Sequence, residues 1–133
     1  MEFKEYQEKA MTTCMPSSNN FSYMFLNLVG EVGEFASKVA KAVRKDQVKI
    51  GWWEEGKEAD ENELIPTGSF AEWNELKEEL KKELGDILWQ TAGVAYAMNW
   101  TLEEVGLGNL DKLAKRKEAG TIVGDGDGII REK

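Results

Sequence analysis

Apolar residues recur at every third or fourth position through most of the chain, which is the spacing of one face of an α-helix. The strongest series lies between residues 21 and 43 and is unbroken. Its members are Phe21, Met24, Phe25, Leu28, Val32, Phe35, Ala36, Val39 and Val43. This series predicts a long second helix that runs from about Phe21 to Lys45.

Three further helices are predicted. The first is short, carries Phe3 on its apolar face and ends near Pro16, because proline cannot continue a helix. The third and fourth each begin with a capping box, in which a hydroxyl residue and a glutamate three positions later bond to each other's backbone N–H. The two boxes are Ser69 with Glu72 and Thr101 with Glu104.

Two stretches lack the helical period. Residues 46–68 contain glycines, a proline and an acidic run, which predicts a long inserted loop that could hold a short helix of its own. The glycine-rich tail, residues 120–133, is predicted to be a loop. No strand pattern reaches a useful length. The expected fold is therefore a single all-α domain over residues 1–133, a four-helix bundle with a long insertion between the second and third helices.

The amino-acid composition excludes several classes of binding partner and active site. The 133 residues hold 25 acidic and 17 basic side chains, a formal charge of -8, which argues against binding to nucleic-acid polymers or to acidic membranes. The chain has no histidine, which excludes histidine-based triads and histidine-ligated zinc. One cysteine permits no intrachain disulfide, and no signal peptide or membrane span is evident. We expect a cytoplasmic protein.

Two pairs of carboxylates have the spacing of a metal site. Each pair lies at i and i+3, so that its members share one helix face, and antiparallel packing would bring the pairs together. The pairs are Glu31 with Glu34 and Glu83 with Asp86. Four carboxylates at close range repel one another, and a magnesium ion, which prefers oxygen ligands, would relieve the repulsion. Lys38 and Lys41 lie further along the helix face that carries Glu31 and Glu34, and they could contact phosphate oxygens.

A simpler interpretation of these charged residues is a helix face in contact with water. On such a face an ion pair such as Glu34 and Lys38 stabilises the helix by only a few tenths of a kcal/mol. Neighbouring glycines favour the metal site instead. Gly30, Gly33 and Gly85 lie inside predicted helices, where each costs about 1 kcal/mol relative to alanine. Their position suggests that a helix or a ligand approaches the backbone closely.

The segments 30–34 and 83–89 resemble the signature of the MazG-like nucleotide pyrophosphohydrolases, Glu-x-x-Glu on one helix and Glu-x-x-Asp on the next. The resemblance extends to Tyr6 and Gln7 and to the segments 109–113 and 116–121. It implies an all-α, helical dimer or dimer of dimers that hydrolyses nucleoside triphosphates, often deoxy or non-standard ones, to the monophosphate and pyrophosphate. This is a house-cleaning type of activity.

The resemblance also implies roles for individual residues. The metal ligands and catalytic carboxylates would be Glu31, Glu34, Glu83 and Asp86, with Mg²⁺ bound and Mn²⁺ as the alternative. Asn109 and Lys112 match positions that contact the nucleotide. In the expected mechanism the metal polarises the α-phosphoryl group, a carboxylate takes the proton of the attacking water, and pyrophosphate leaves. Charge on the leaving group would be stabilised by Lys38, Lys41, Lys112 or Arg116.

Alternatives remain open. Between Glu34 and Glu83 lie 48 residues, a longer spacer than is usual in the family, so substrate choice does not carry over. The chain could instead act on a phosphoribosyl nucleotide of the phosphoribosyl-ATP type, or be a non-catalytic helical interaction module. Trp52 and Trp53 in the insertion could stack on a base or anchor the loop.

Apolar surface beyond what one four-helix chain can cover predicts a homodimer. Residues that widen the apolar band of the second helix carry this expectation. They are Phe25, Val29 and Ala42.

Overall fold

A computed structural model describes residues 1–51, 55–56 and 63–120. Its four helices are α1 (Phe3–Met11), α2 (Phe21–Arg44), α3 (Phe70–Ala97) and α4 (Leu102–Glu118), and a short 3₁₀ turn lies at Pro16–Ser18. The all-α prediction is confirmed. Within the described residues, no helix has the length and apolar character needed to cross a membrane.

Both predicted capping boxes form. The Ser69 backbone N–H donates to Glu72 Oε1 over 2.8 Å, and the Glu72 N–H donates back to Ser69 Oγ over 3.2 Å. The Thr101 backbone N–H donates to Glu104 Oε1 over 3.2 Å, and the Glu104 N–H donates to Thr101 Oγ1 over 3.0 Å. These bonds satisfy backbone donors that the first turn of a helix leaves unpaired, so the two sequence signals fix where α3 and α4 begin.

Two helices end through a left-handed residue other than glycine. Asp46 follows α2 with φ 56°, and the next N–H, that of Gln47, donates to the Ala42 carbonyl over 3.0 Å. Asn99 follows α3 with φ 61°, and Trp100 N–H reaches the Ala95 carbonyl over 2.7 Å. Asp and Asn tolerate this conformation better than most residues do, which explains why both helices stop without glycine.

The described ends of the insertion form an antiparallel β-hairpin, which the expected loop did not include. Strand β1 (Val48–Ile50) pairs with β2 (Leu64–Pro66), with Val48 opposite Pro66 and Ile50 opposite Leu64. Each strand is three residues long, too short to show an alternating pattern, and its partner lies more than a dozen residues away. The expectation that no strand forms was therefore wrong at this point.

The structure divides into two compact units, one made of Met1–Phe21 with the chain from Ala92 onward, and one made of Ser22–Thr91. We call the second the α2–α3 unit. A cluster of buried residues forms its core, and the hairpin contributes one of them: Ala42, Val48, Leu76 and Leu80. Ala42 is 2% exposed, so its predicted place in a surplus apolar band was wrong.

The other compact unit, which contains α1 and α4, is organised by the buried side chain of Gln7. Its amide nitrogen donates to the carbonyls of Trp100 over 3.1 Å and of Ala92 over 3.5 Å. Its amide oxygen accepts the N–H of Leu102, the first residue of α4, over 2.9 Å. One glutamine therefore satisfies backbone groups at the turn between α3 and α4, where both helices leave such groups unpaired.

Candidate metal centre

Three carboxylates of the α2–α3 unit converge. One carboxylate oxygen from each of Glu31, Glu83 and Asp86 lies within 4.8 Å of the others. Glu31 lies on α2, and the other two lie one turn apart on α3, so the i, i+3 spacing puts both on the same face. Glu31 and Glu83 are half-buried and Asp86 is exposed. The group is thus partly shielded yet open to a ligand on one side.

Glu34, the fourth predicted ligand, lies outside this group of three. Its side chain is exposed and lines a neighbouring cavity. It is nevertheless close enough for its negative charge to help raise the pKa of Glu31. A role for Glu34 in holding a metal stays a prediction.

Burial and repulsion destabilise the ionised form of Glu31. Burial is the largest cause that raises the pKa of the Glu31 carboxyl above its ordinary value of 4.5. The neighbouring carboxylates raise this pKa further, in the decreasing order Asp86, Glu83 and Glu34. A divalent cation among these oxygens would offset both costs. The donor set consists of carboxylate oxygen alone, which fits a hard cation such as Mg²⁺ or Mn²⁺.

Lys38 is paired with the acidic group. Its Nζ lies 3.6 Å from Glu83 Oε1 and 4.0 Å from Glu79 Oε2. The Glu83 side chain is 15% exposed and the Lys38 side chain 35%, so this pair is less screened by water than a surface pair. Lys38 was predicted to meet phosphate; in this structure, it neutralises part of the carboxylate charge.

A cavity of about 430 Å³ opens beside the acidic group, between the polar faces of α2 and α3. Lysines of α2 and the lysine just after it line one side, together with one glutamate of α2, and glutamates of α3 line the other. The charged lining residues are Glu34, Lys38, Lys41, Lys45, Glu72, Glu75 and Glu79. Lys41 thus lies where the predicted helix face puts it. The glutamates of α3 continue the helix face of Glu83 and Asp86 toward the start of the helix. Their spacing in the sequence could therefore have identified the side of the cavity that α3 forms.

The base of the hairpin closes one end of this cavity through Gln47, which donates to Glu72 Oε2 over 2.9 Å. Gly68 makes this approach possible, because an added Cβ would lie 2.6 Å from Glu72 Oε1 and 3.2 Å from Gln47 Cα. The sequence identified the insertion but not this contact.

The three helix glycines beside the acidic residues face open space. Apart from the backbone of its own helix and its chain neighbours, an added Cβ at Gly30, Gly33 or Gly85 would meet no described atom within 4 Å. The close approach expected there is therefore not made by any described element of this chain.

The remaining predicted site residues lie on α4, in the other compact unit. Asn109 and Lys112 are exposed, and Arg116 is half-buried. Their contacts with a nucleotide stay predictions. Trp52 and Trp53 lie outside the described residues, as does the tail after Gly120, so the structure bears on neither expectation.

Comparison with protein families gives this geometry a context. The model of the MazG nucleotide pyrophosphohydrolase domain matches residues 19–121, a range that contains all four predicted carboxylates. The chain belongs to the MazG nucleotide pyrophosphohydrolase family. The resemblance seen in the sequence is therefore confirmed. As a MazG domain, the chain has the family's all-α architecture.

One relative among curated proteins is the Gene 37 protein of Mycobacterium phage L5. It is 34% identical to this MazG chain over 111 residues, which cover 84% of the chain and 78% of the phage protein. Its name states no activity. No solved structure matches the chain.

Proposed function

We propose that this MazG domain hydrolyses nucleoside triphosphates, deoxy or non-standard ones above all, to nucleoside monophosphate and pyrophosphate with the help of Mg²⁺. Family membership supports nucleotide pyrophosphohydrolase activity in general. The observation that carries the finer proposal is the convergence of Glu31, Glu83 and Asp86 from two helices. Carboxylates alone bind a triphosphate poorly, since both are negative, so the site needs a cation to bind this substrate.

The carboxylates have two tasks in this proposal. Glu31, Glu83 and Asp86, with Glu34 beside them, would hold the cation, and one of the four would accept the proton of the attacking water. A bound Mg²⁺ would supply charge neutralisation and Lewis-acid polarisation of the α-phosphoryl group. The raised pKa of Glu31 supports this assignment, because a carboxylate that is costly to ionise alone gains most from a cation.

Positive charge for the leaving pyrophosphate would come from the lysines of α2. Lys38 and Lys41 line the cavity that begins beside the acidic group, and both can extend toward phosphate oxygens within it. Asn109, Lys112 and Arg116 of α4 are proposed to contact the nucleotide, as their match to the family pattern implies. A cytoplasmic location remains an expectation from the sequence.

A nucleotide panel tests the proposal. The protein is incubated with ribo- and deoxyribonucleoside triphosphates, with non-standard bases and with a phosphoribosyl-ATP-type nucleotide, with and without Mg²⁺. Products are identified by phosphorus NMR. We expect Mg²⁺-dependent release of pyrophosphate from at least one triphosphate. Turnover of the phosphoribosyl nucleotide alone would favour that alternative, and no turnover would favour a non-catalytic interaction module.

We further propose that the protein is a homodimer. Large apolar side chains at helical spacing on α2 are half or more exposed: Leu26 is 67%, Val29 57% and Val32 50% exposed. Leu84 on α3 is 57% exposed and belongs to the same compact unit. Monomeric proteins seldom leave so many neighbouring apolar side chains in water, and a twofold contact is the commonest way to bury them.

Light scattering on the full chain tests the dimer. We expect a mass twice the 15.0 kDa of one chain at micromolar concentration. Val29→Glu should lower that mass, because it would put a charge into the contact, whereas Glu78→Lys, at an exposed position of α3 that does not share a helix face with Leu84, should not. A stable monomer in the unaltered protein would contradict the proposal.

A further inference from the structure

Gln90 has a buried amide oxygen without a hydrogen-bond partner among the residues that the structure describes. The residue is 8% exposed. Buried polar atoms are almost always bonded, because an unpaired acceptor loses its bonds to water and gains nothing in return. Either the unpaired oxygen destabilises the folded protein, or a hydrogen-bond donor that is absent from the structure satisfies the oxygen.

The position of Gln90 suggests what that donor is. Gln90 lies four residues after Asp86 and seven after Glu83, so it continues the same face of α3 one turn beyond the acidic group. From the start of α3 toward its end, the helix therefore passes first the cavity lined by charged side chains, then the acidic group, and then the buried neutral oxygen of Gln90. The two sides of the metal centre differ in chemistry.

This asymmetry matches the asymmetry of a nucleoside triphosphate. Lys41 and Lys45 line the cavity on one side and suit the β- and γ-phosphates. With the α-phosphate at the acidic group, the nucleoside must lie on the other side, toward Gln90. A neutral acceptor there suits a nucleoside, which offers hydroxyl and N–H donors, and does not suit phosphate, which has no donor when fully ionised.

We propose that Gln90 is a specificity residue whose amide oxygen accepts a hydrogen bond from the nucleoside half of the substrate, so that the triphosphate tail runs along the lysine-lined cavity. The inference rests on the proposed function and deepens it, because it gives the substrate a direction in the site. The donor is a sugar hydroxyl or a base N–H, and nucleotides that lack one or the other distinguish the two.

A buried water molecule is the competing explanation, and stability separates the two. If the oxygen is unpaired in the free protein, Gln90→Leu should leave the melting temperature unchanged or raise it, because it removes an unsatisfied acceptor. If a water satisfies the oxygen, the same substitution should lower the melting temperature. Gln7→Leu is the matched control, since Gln7 makes all its bonds within the chain, and it should lower the melting temperature.

Kinetics then test the role in binding. For the preferred nucleotide, Gln90→Leu should raise KM by about three- to tenfold, the effect of one hydrogen bond to a neutral donor. The preference among nucleosides should fall by a similar factor. Inhibition by inorganic pyrophosphate should stay unchanged, because pyrophosphate has no nucleoside, whereas Lys41→Met should weaken it.

Three results would overturn the inference. They are a melting temperature that falls as it does in Gln7→Leu, a KM unchanged for every nucleotide, and an equal loss of affinity for nucleotide and pyrophosphate. If the unaltered protein hydrolyses no nucleotide at all, the proposed function fails and the inference fails with it. If the unaltered protein is active and Gln90→Leu retains its full preference, only the inference fails.

Discussion

Lys38 Nζ lies 3.6 Å from Glu83 Oε1, so a positive charge next to the candidate metal centre belongs to a residue that is also suited to bind phosphate. The two roles oppose each other. In the structure the ammonium group offsets carboxylate repulsion, and in the proposed function it would be available to phosphate oxygens once a metal and substrate were bound. We therefore expect Lys38 to couple the charge of the centre to substrate binding.

Replacing Lys38 by methionine should change metal and substrate affinity in opposite directions. Removal of a positive charge near Glu83 should tighten Mg²⁺ binding by about threefold, since the pair is partly screened. The same change should raise KM for the triphosphate. Calorimetric Mg²⁺ titration and steady-state kinetics measure the two effects. Lys81→Met, which removes an exposed pair with Glu78, is the control and should change neither. A parallel loss of both affinities would contradict this account.

Glu31→Gln should stabilise the metal-free protein and abolish its response to Mg²⁺. The raised pKa of Glu31 means that ionisation of its carboxyl costs more free energy in the folded state than in the unfolded state. That cost is absent well below pH 4.5, where the carboxyl is protonated in both states, and it grows as pH rises above that value. At pH 7 without metal, the variant should therefore melt higher than the unaltered protein, and the difference should vanish in acid.

With Mg²⁺ the order should reverse. The ion should raise the melting temperature of the unaltered protein and leave that of Glu31→Gln nearly unchanged, since only the former gains a ligand that binds the folded state. Loss of a residue that merely supports a metal ligand lowers activity by roughly 10- to 100-fold, so loss of a ligand itself should lower activity by at least that factor. Absence of any Mg²⁺ effect in the unaltered protein would favour the non-catalytic module.

Local signals in the sequence predicted the helices well, and contacts between distant segments were out of reach. The box of Ser69 and Glu72 involves neighbours in the chain, so a four-residue pattern was enough to locate the start of α3. The pairing of Ile50 with Leu64 depends on a return of the chain that no local pattern encodes.

The same distinction holds at the site. Spacing along each helix predicted that Glu83 and Asp86 share a face. The register between α2 and α3 decides that Glu31 completes their group while Glu34 lies beside it, and side-chain packing sets that register. The burial of Gln90 was equally hidden, because a glutamine on a polar stripe looks like a solvated residue.

The start of α3 should lose stability in acid through Glu72. Two bonds with Ser69, one from its backbone N–H and one through its side chain, hold the pKa of Glu72 below its ordinary value of 4.5. This contribution is present in full above pH 4.5 and is lost as pH falls through the lowered pKa of the folded state. Glu72→Gln keeps the shape without the charge, so it should melt lower at pH 6, and the difference should shrink as pH falls through the lowered pKa of Glu72. Glu78→Gln is the control, and an equal, pH-independent effect in both variants would contradict the assignment.

Gln7→Leu should destabilise the unit that holds α1 and α4. It would leave the carbonyls of Trp100 and Ala92 and the N–H of Leu102 without their present partner. Each unpaired buried group costs about 1–3 kcal/mol, and partial access to water reduces the total, so we expect a loss of about 2–4 kcal/mol in urea unfolding. Lys4→Ala, an exposed change on the same helix, should cost less than about 0.5 kcal/mol. A loss no larger than that of the control would contradict the role given to Gln7.

The central claim is that the carboxylate group of Glu31, Glu83 and Asp86 directs water to the α-phosphorus of a nucleoside triphosphate. Hydrolysis in water enriched in oxygen-18, with Mg²⁺ and the best substrate of the panel, tests it most directly, because mass spectrometry shows which product gains the heavy oxygen. The account predicts one labelled oxygen in the nucleoside monophosphate, unlabelled pyrophosphate, and loss of the reaction in Asp86→Asn. Label in the pyrophosphate, release of orthophosphate, or full activity in Asp86→Asn would contradict it.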